Sequence, residues 1–142
     1  MADLTQNSQL VVGTSVQSIT KIAGGTINAG MPCYLNGGGA DGYVYAATAS
    51  GNAAQAGQYG LFIALQTSYA GQPIVIMTGG GTLVMGDSDG VNGQIYAVSY
   101  NAGRIAPVTD LNSACKTTVL GVRVAGALTP VSPFLATNST HP

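Results

Sequence analysis

From residue 23 onward, short runs rich in β-branched and aromatic residues alternate at close spacing with clusters of Gly, Asn and Asp. Val, Ile, Thr and Tyr favour a pleated strand, whereas Gly, Asn and Asp adopt the turn conformations that other residues avoid. Many short strands separated by regular turns are typical of a sandwich or a barrel. We therefore expect an all-β fold: a single compact antiparallel β-barrel or sandwich of short strands, with glycine-rich hairpins and an extended N-terminal arm.

The predicted strands all combine β-forming residues with flanking turn residues. They are residues 26–27, 31–35, 43–47, 60–65, 73–78, 82–85, 94–99, 104–107, 119–125 and 133–136. Two hairpins are predicted among them. Gly79, Gly80 and Gly81 separate one pair of strands, and Asn101, Ala102 and Gly103 separate another, with Gly103 suited to the left-handed position of a three-residue loop.

The length of 142 residues fits one domain. Residues 1–22 are rich in Gln, Ser, Thr and Asn, and we expect an N-terminal arm there, either alone or with one edge strand. Residues 23–136 form the predicted β-domain. Residues 137–142 form a predicted flexible tail.

Charge is scarce, because only 6% of the residues are Asp, Glu, Lys or Arg, against about a quarter in an average globular chain. Most catalytic groups are ionisable, so this composition disfavours an enzyme. The net charge of −1 and the four scattered basic residues also disfavour nucleic-acid binding, which usually shows a basic cluster. Apolar runs too short to span a bilayer indicate no membrane partner.

The residues that carry chemistry in other proteins have plainer interpretations here. Asp87 and Asp89 resemble the start of a calcium loop, but the further acidic positions and flanking helices are missing, so a solvated turn is favoured over a weak ion site. His141 lies in a polar tail, which does not hold a catalytic base in place. Cys33 reads as a buried apolar residue and Cys115 as a second free thiol. We predict no catalytic residue, no cofactor and no metal site.

Seven tyrosines and no tryptophan are present. Tyr is enriched in strands and in protein interfaces, because it brings a large apolar area and one hydroxyl group. A core or interface role is therefore favoured over a platform for stacking a sugar or a base.

Five sequence elements, taken in order, resemble those of the small phage capsid decoration (cement) proteins. These are a step into the first barrel strand, a Gly-Gln step into a hydrophobic strand, a Gly-x-x-Tyr strand, a Ser-x-x-x-Gly-x-Ile-x-Pro stretch and a Leu-Gly-x pattern. They lie at residues 27–32, 71–74, 93–96, 99–107 and 120–122. The resemblance covers roughly residues 23–125 and leaves the arm and the tail outside.

This resemblance implies a homotrimer that binds the outside of a phage head and ties neighbouring major capsid subunits together. The protein would be made in the host cytoplasm and reside on the outer capsid surface of the virion. We expect the arm to contribute apolar anchors to the capsid interface, with Leu4, Leu10, Val11 and Val12 as candidates. The alternative is another β-module of the virion, in the tail or a fibre and possibly binding a glycan.

Overall fold

The computed structural model describes residues 3, 12–14, 16–35, 42–51, 55–56, 61–79, 82–84, 91–111, 116–124, 127–130 and 136–140. Its fold is nearly all-β, which confirms the predicted fold class. The strands are β1 (Val12–Thr14), β2 (Gln17–Ala23), β3 (Pro32–Leu35), β4 (Tyr43–Ala46), β5 (Leu61–Ala64), β6 (Pro73–Gly79), β7 (Thr82–Val84), β8 (Ile95–Val98), β9 (Ile105–Pro107), β10 (Lys116–Val124), β11 (Ala127–Pro130) and β12 (Ala136–Thr140).

Five of these strands close into a barrel in the order β2-β4-β3-β5-β6. Four of its pairs are antiparallel, whereas β2 and β4 run parallel, with Ile22 opposite Tyr43 and Ala23 opposite Val44. The barrel is therefore mixed rather than wholly antiparallel. Closure pairs both edges of β6, one with β5 and the other with β2.

The inside of the barrel is filled by alternate residues of its strands, as the period of two in a strand requires. The buried residues of this cluster are small or branched: Ala23, Ile27, Cys33, Val44, Ala64, Ile74 and Ile76. Cross-strand partners agree, because Ala64 lies opposite Ile76 and Cys33 opposite Phe62. The prediction that Cys33 is a buried apolar residue is confirmed, since no part of it is exposed.

The second sheet is antiparallel throughout, in the order β1-β7-β11-β10-β8-β9, and β12 also pairs with β10. One face of this sheet packs on the outside of the barrel. The residues that alternate outward from β5 and β6, namely Leu61, Ile63 and Met77, meet Leu83, Tyr96, Val98, Ile105 and Leu120 of the sheet. This buried layer joins the two sheets into one body.

The two predicted hairpins have different outcomes. β8 and β9 form the predicted hairpin, with Val98 opposite Ile105, and Gly103 between them has φ = 74°. The hairpin predicted at residues 79–81 is wrong, since β6 belongs to the barrel and β7 pairs with β1 and β11 in the second sheet. Because closure occupies both edges of β6, no edge is left for β7.

The predicted arm and tail both contain strand residues. Residues 17–22, which the sequence analysis assigned to the arm, form most of β2. This strand pairs with β6 as part of the barrel wall. Residues 137–140 of the predicted tail belong to β12, which pairs with β10. Polar residues reach strands here because the partner strand supplies the hydrogen bonds, whatever the local composition. Residues 26–27 make only an isolated bridge, between Ile27 and Ser68.

Candidate interaction surface

The face of the second sheet that points away from the barrel is apolar at its described exposed positions. Leu83 and Tyr96 point into the layer against the barrel, so their strand neighbours Val84 and Ile95 point outward. Val84 is 39% exposed and Ile95 is 45% exposed. An antiparallel sheet that has one face in water normally carries polar residues on that face. We call this surface, with Val122, the outer face.

The outer face extends across several strands. Val122 of β10 is half-buried and lies directly opposite Ile95 of β8. From β8 to β7 the strand order gives three inter-strand steps, which is about 14 Å at the usual spacing. Val91, in the turn before β8, is 60% exposed, and its N–H donates to the hydroxyl group of the inward-pointing Tyr96. Val84 and Ile95 are therefore exposed apolar residues on two strands of the same sheet face.

A β-bulge shapes this face. The pairing of β10 with β8 shifts between Val119 and Gly121, so that one extra residue is accommodated. Leu120 is buried against the barrel, while Val122 remains in register with Ile95. The bulge therefore keeps the core residue and the outward residue on their respective faces.

Part of the outer face is already covered by the chain itself. Ala97 packs with Ala49, Leu111 and Val108, the last of which begins a short 3₁₀ turn at Val108–Asp110. This cover lies over β8 toward its hairpin with β9. The exposed part of the outer face is therefore the end that carries Ile95 and the strands on the β7 side.

Of the four predicted interface residues, one lies within the described chain. Val12 belongs to β1 and its backbone pairs with Val84 at the edge of the second sheet. Leu4, Leu10 and Val11 lie outside the described residues. Their predicted role stays a prediction.

A polar cluster on the β8–β9 hairpin binds the Asp3 side chain. The Asp3 carboxylate accepts a short hydrogen bond from the Ser99 hydroxyl at Oδ1. Its Oδ2 accepts a hydrogen bond from Asn101 Nδ2 at 2.8 Å and lies 4.0 Å from Arg104 Nε. The Asp3 side chain is only 13% exposed. These contacts join residues 96 and 98 positions apart, so no local pattern in the sequence predicted them.

The hairpin itself is fastened to the barrel. Gly103 N–H donates to Ala47 O at 2.9 Å, and Ala49 N–H donates to Ser99 O at 2.8 Å. The Thr48 hydroxyl donates to Tyr100 O at 2.7 Å. Three hydrogen bonds to the segment after β4 thus fix the turn that receives Asp3.

The contact between Asp3 and Ser99 lacks the features that a catalytic serine requires. A serine nucleophile needs a base that removes its proton and a path to substrate. Here the hydroxyl group is fully buried and its proton is directed at the carboxylate.

Burial raises the pKa of the Cys33 thiol to about 12, despite an opposing backbone hydrogen bond at Ala64. That thiol stays neutral and is a poor nucleophile at neutral pH.

Within the described part of the chain, no three His, Cys, Asp or Glu residues are grouped so as to hold a metal ion. Asp110 lies half-buried in the 3₁₀ turn. The remaining sequence candidates for chemistry lie outside the described residues: Asp87, Asp89, Cys115 and His141. The interpretation of Asp87 and Asp89 as a turn or an ion site stays open. No helix in the described ranges is long and apolar enough to cross a membrane.

The tyrosines divide into core and surface residues. Tyr96 is buried, and its hydroxyl accepts a hydrogen bond from Val91 N–H at 3.0 Å. Tyr34 and Tyr45 lie opposite each other on β3 and β4, with ring centroids 5.9 Å apart. Three others are exposed: Tyr43, Tyr69 and Tyr100.

Comparison with known proteins identifies no relative. No family model matches the chain, and no curated protein or solved structure matches it significantly.

Proposed function

We propose that the protein is a structural component of a phage virion that binds the outside of the head as a homotrimer and bridges major capsid subunits. Under this proposal it has no catalytic activity, takes no cofactor and binds neither nucleic acid nor membrane. Its partners are the major capsid protein and two further copies of itself.

The observation that carries the proposal is the position of the decoration-protein sequence elements in the fold. Four of the five contain a glycine with positive φ that leads into, or turns between, strands: Gly30, Gly71, Gly93 and Gly103. The fifth, at residues 120–122, contains the bulge of β10. Glycine adopts positive φ without the steric cost that other residues incur. The matched residues are therefore those on which the turns of this fold depend.

The outer face is a second observation that supports the proposal. Covering exposed side chains such as Val84 and Ile95 removes apolar area from water, which favours association by about 25 cal/mol for each Å². Sparse charge helps too, because an ion that is buried in an interface without a good partner costs several kcal/mol. Neutral hydroxyl and amide groups avoid that cost.

Trimerisation would convert modest contacts into firm attachment. Linked binding sites exceed a single affinity by roughly a hundredfold to ten-thousandfold without any new contact. A bridge across neighbouring capsid subunits also resists their separation. The head would then be reinforced because these bridges must break before capsid subunits can separate.

The test is the oligomeric state by light scattering, followed by co-sedimentation with empty heads of the phage that encodes the chain. The wild type is expected to be a trimer and to sediment with the heads. Ile95→Lys places a charge on the outer face, and we expect it to weaken trimer or head binding more than about tenfold.

The matched control is Ile19→Lys, because Ile19 is similarly exposed but lies on β2 of the barrel. It should leave both measurements unchanged. A wild-type monomer that does not sediment with heads would contradict the proposal. Equal effects of the two variants would contradict the assignment of the outer face.

The exposed tyrosines favour a second candidate, a tail or fibre module that binds a glycan. Tyr43 and Tyr69 are exposed near one end of the barrel, since Tyr43 pairs with Ile22 and the turn after Tyr69 bonds to Ala23. Aromatic rings of this kind stack on ligands as well as on proteins. Glycan-array binding that is lost in Tyr69→Ala, with label at the phage tail, would support this candidate instead.

A further inference from the structure

We propose that the outside of the barrel along β3, β4 and β2 is a binding platform for a neutral saccharide chain. We call it the tyrosine wall, after the rings of Tyr34, Tyr45 and Tyr43 that it carries. This site deepens the glycan-binding candidate above, which supplies the ligand class. It does not depend on whether the chain resides on the head or on the tail.

The three rings project from two paired strands on the outside of the barrel. Cys33 and Val44 fill the inside. Because side chains alternate along a strand, their neighbours Tyr34, Tyr43 and Tyr45 point outward. Tyr34 lies directly opposite Tyr45, and the two ring planes are 31° apart, closer to parallel than to perpendicular. Adjacent rings with similar orientations form a continuous aromatic surface.

The second sheet leaves this side of the barrel uncovered. It packs on the outward residues of β5 and β6. In the closed order β2-β4-β3-β5-β6, β4 adjoins neither of those strands. Tyr34 borders the covered layer, since it packs against that layer and lies opposite Leu61. Tyr43 on β4 is 39% exposed, so a ligand in solution can reach the wall at this strand.

Gly24 allows the Tyr45 ring to lie along the wall. Its N–H donates to Val44 O at 2.8 Å, which places Gly24 beside β4. A Cβ atom at residue 24 would lie 2.3 Å from both Cε1 and Cζ of Tyr45, so the ring occupies the space above this glycine. The half-buried ring therefore leans across the neighbouring chain instead of extending into solvent. A ring in this position offers its face for stacking.

The chemistry of the wall suits a neutral sugar. Ser18, Thr20 and Ile22 of β2 continue the surface, with Ile22 opposite Tyr43. Among the described residues, none that points outward from these three strands is charged. A charged ligand would lose hydration here without gaining a counter-charge. The polarised C–H groups of a pyranose pack on the negative face of an aromatic ring, and its hydroxyl groups bond to nearby hydroxyl groups.

The experiment begins with the full chain on an array of neutral glucans, mannans and galactans beside sialylated and uronic-acid glycans. We expect binding to neutral glycans. The strongest of these is then titrated into variants by calorimetry. Tyr45→Ala should raise the Kd roughly 2- to 12-fold, the range for one aromatic contact. Tyr45→Phe keeps the ring and should bind more tightly than Tyr45→Ala.

Two adjacent glycines supply a matched pair of variants. Neither Gly24 nor Gly25 has positive φ, so alanine fits the backbone at both. The new Cβ displaces the Tyr45 ring in Gly24→Ala, whereas in Gly25→Ala it meets no atom within 4 Å. We expect Gly24→Ala to weaken glycan binding about as much as Tyr45→Ala, and Gly25→Ala to leave it unchanged. Gly24→Ala should add nothing to Tyr45→Ala, since both remove one ring contact.

Three results would overturn the tyrosine wall. One is a wild type that binds no neutral glycan, and another is a Kd that Tyr45→Ala leaves unchanged. The third is loss of head binding in Tyr45→Ala without loss of glycan binding, which would assign the surface to a protein partner. If Tyr45→Ala does not fold, the exposed Tyr43 is replaced by Ala instead. A wild type that binds glycan but does not sediment with heads would contradict only the head proposal.

Discussion

Replacing Gly103 by Ala tests the turn on which the β8–β9 hairpin and its contacts with Asp3 depend. Gly103 is buried with φ = 74°, and its N–H donates to Ala47 O. A Cβ atom at this position would lie 2.9 Å from Met31 Sδ. The substitution therefore combines backbone strain with crowding against Met31. The same substitution at Gly93 and at Gly25 separates the two effects.

The magnitude follows from three contributions. An L-residue in the left-handed region costs about 1–2 kcal/mol, and overpacking against the flexible Met31 side chain costs about 1 kcal/mol, the low end of the usual range. Lower entropy of the unfolded chain returns about 0.4–1 kcal/mol. Gly103→Ala should thus destabilise by roughly 1–2.5 kcal/mol. Gly93→Ala has φ = 84° and open space, so strain less the entropy contribution gives about 0–1.6 kcal/mol.

Gly25→Ala is the control, since it has neither positive φ nor any atom within 4 Å of the new Cβ. It should be neutral or slightly stabilising. The assay is urea unfolding at one fixed protein concentration, with free energies from midpoints and slopes. A free energy of unfolding for Gly103→Ala equal to that of Gly25→Ala would refute the reasoning. Equality with Gly93→Ala would refute only the contribution of Met31.

Three further predictions follow from buried groups and from the N-terminus. The Thr118 hydroxyl is buried with no hydrogen-bond partner among the described residues, so Thr118→Val should raise the free energy of unfolding by about 1 kcal/mol in urea titrations. Because the pKa of Cys33 is raised from about 9 to about 12, its neutral form stabilises the fold below pH 9. That contribution, at most about 4 kcal/mol, is lost as the pH rises from 9 to 12. Cys33→Ala should show a shallower fall in stability over this range. Deleting residues 1–12 should lower the occupancy of phage heads in co-sedimentation, and unchanged occupancy would contradict the proposed apolar anchors.

Local chemistry explains which parts of the fold the sequence predicts. The β8–β9 hairpin follows from Asn101, Ala102 and Gly103 because a three-residue loop needs a left-handed residue at its end. Residues 79–81 carry an equally good turn signal, yet they connect two sheets. The difference lies in the edges of β6, which distant strands occupy. A turn signal fixes where the chain bends, but pairing depends on which edges remain free.

Long-range contacts explain what the sequence leaves unpredicted. The parallel pair of β2 and β4 has no local signature, because β2 is rich in polar residues and most of its length is exposed. Asp3 likewise stands in a polar segment and gains its partners only when β8 and β9 form the hairpin. The two faces of β8 look alike in the sequence, because residues 95–98 are all apolar or aromatic. Which face meets the barrel follows only from the packing.

The barrel is closed, whereas the second sheet is open and has one exposed face. This difference favours the second sheet as the surface that contacts a partner. The barrel pairs its strands around a closed ring and fills its inside, so closure removes most of its edges. The second sheet is open, with β1 and β9 at its ends. Two arginines beside and within it make local contacts: Arg104 lies near Asp3, and Arg123 donates to Asn92 Oδ1 at 2.6 Å. An open sheet with an apolar outer face and locally used charges can bury area against a partner at little desolvation cost. We therefore expect partner contacts on the second sheet, with the barrel as its support.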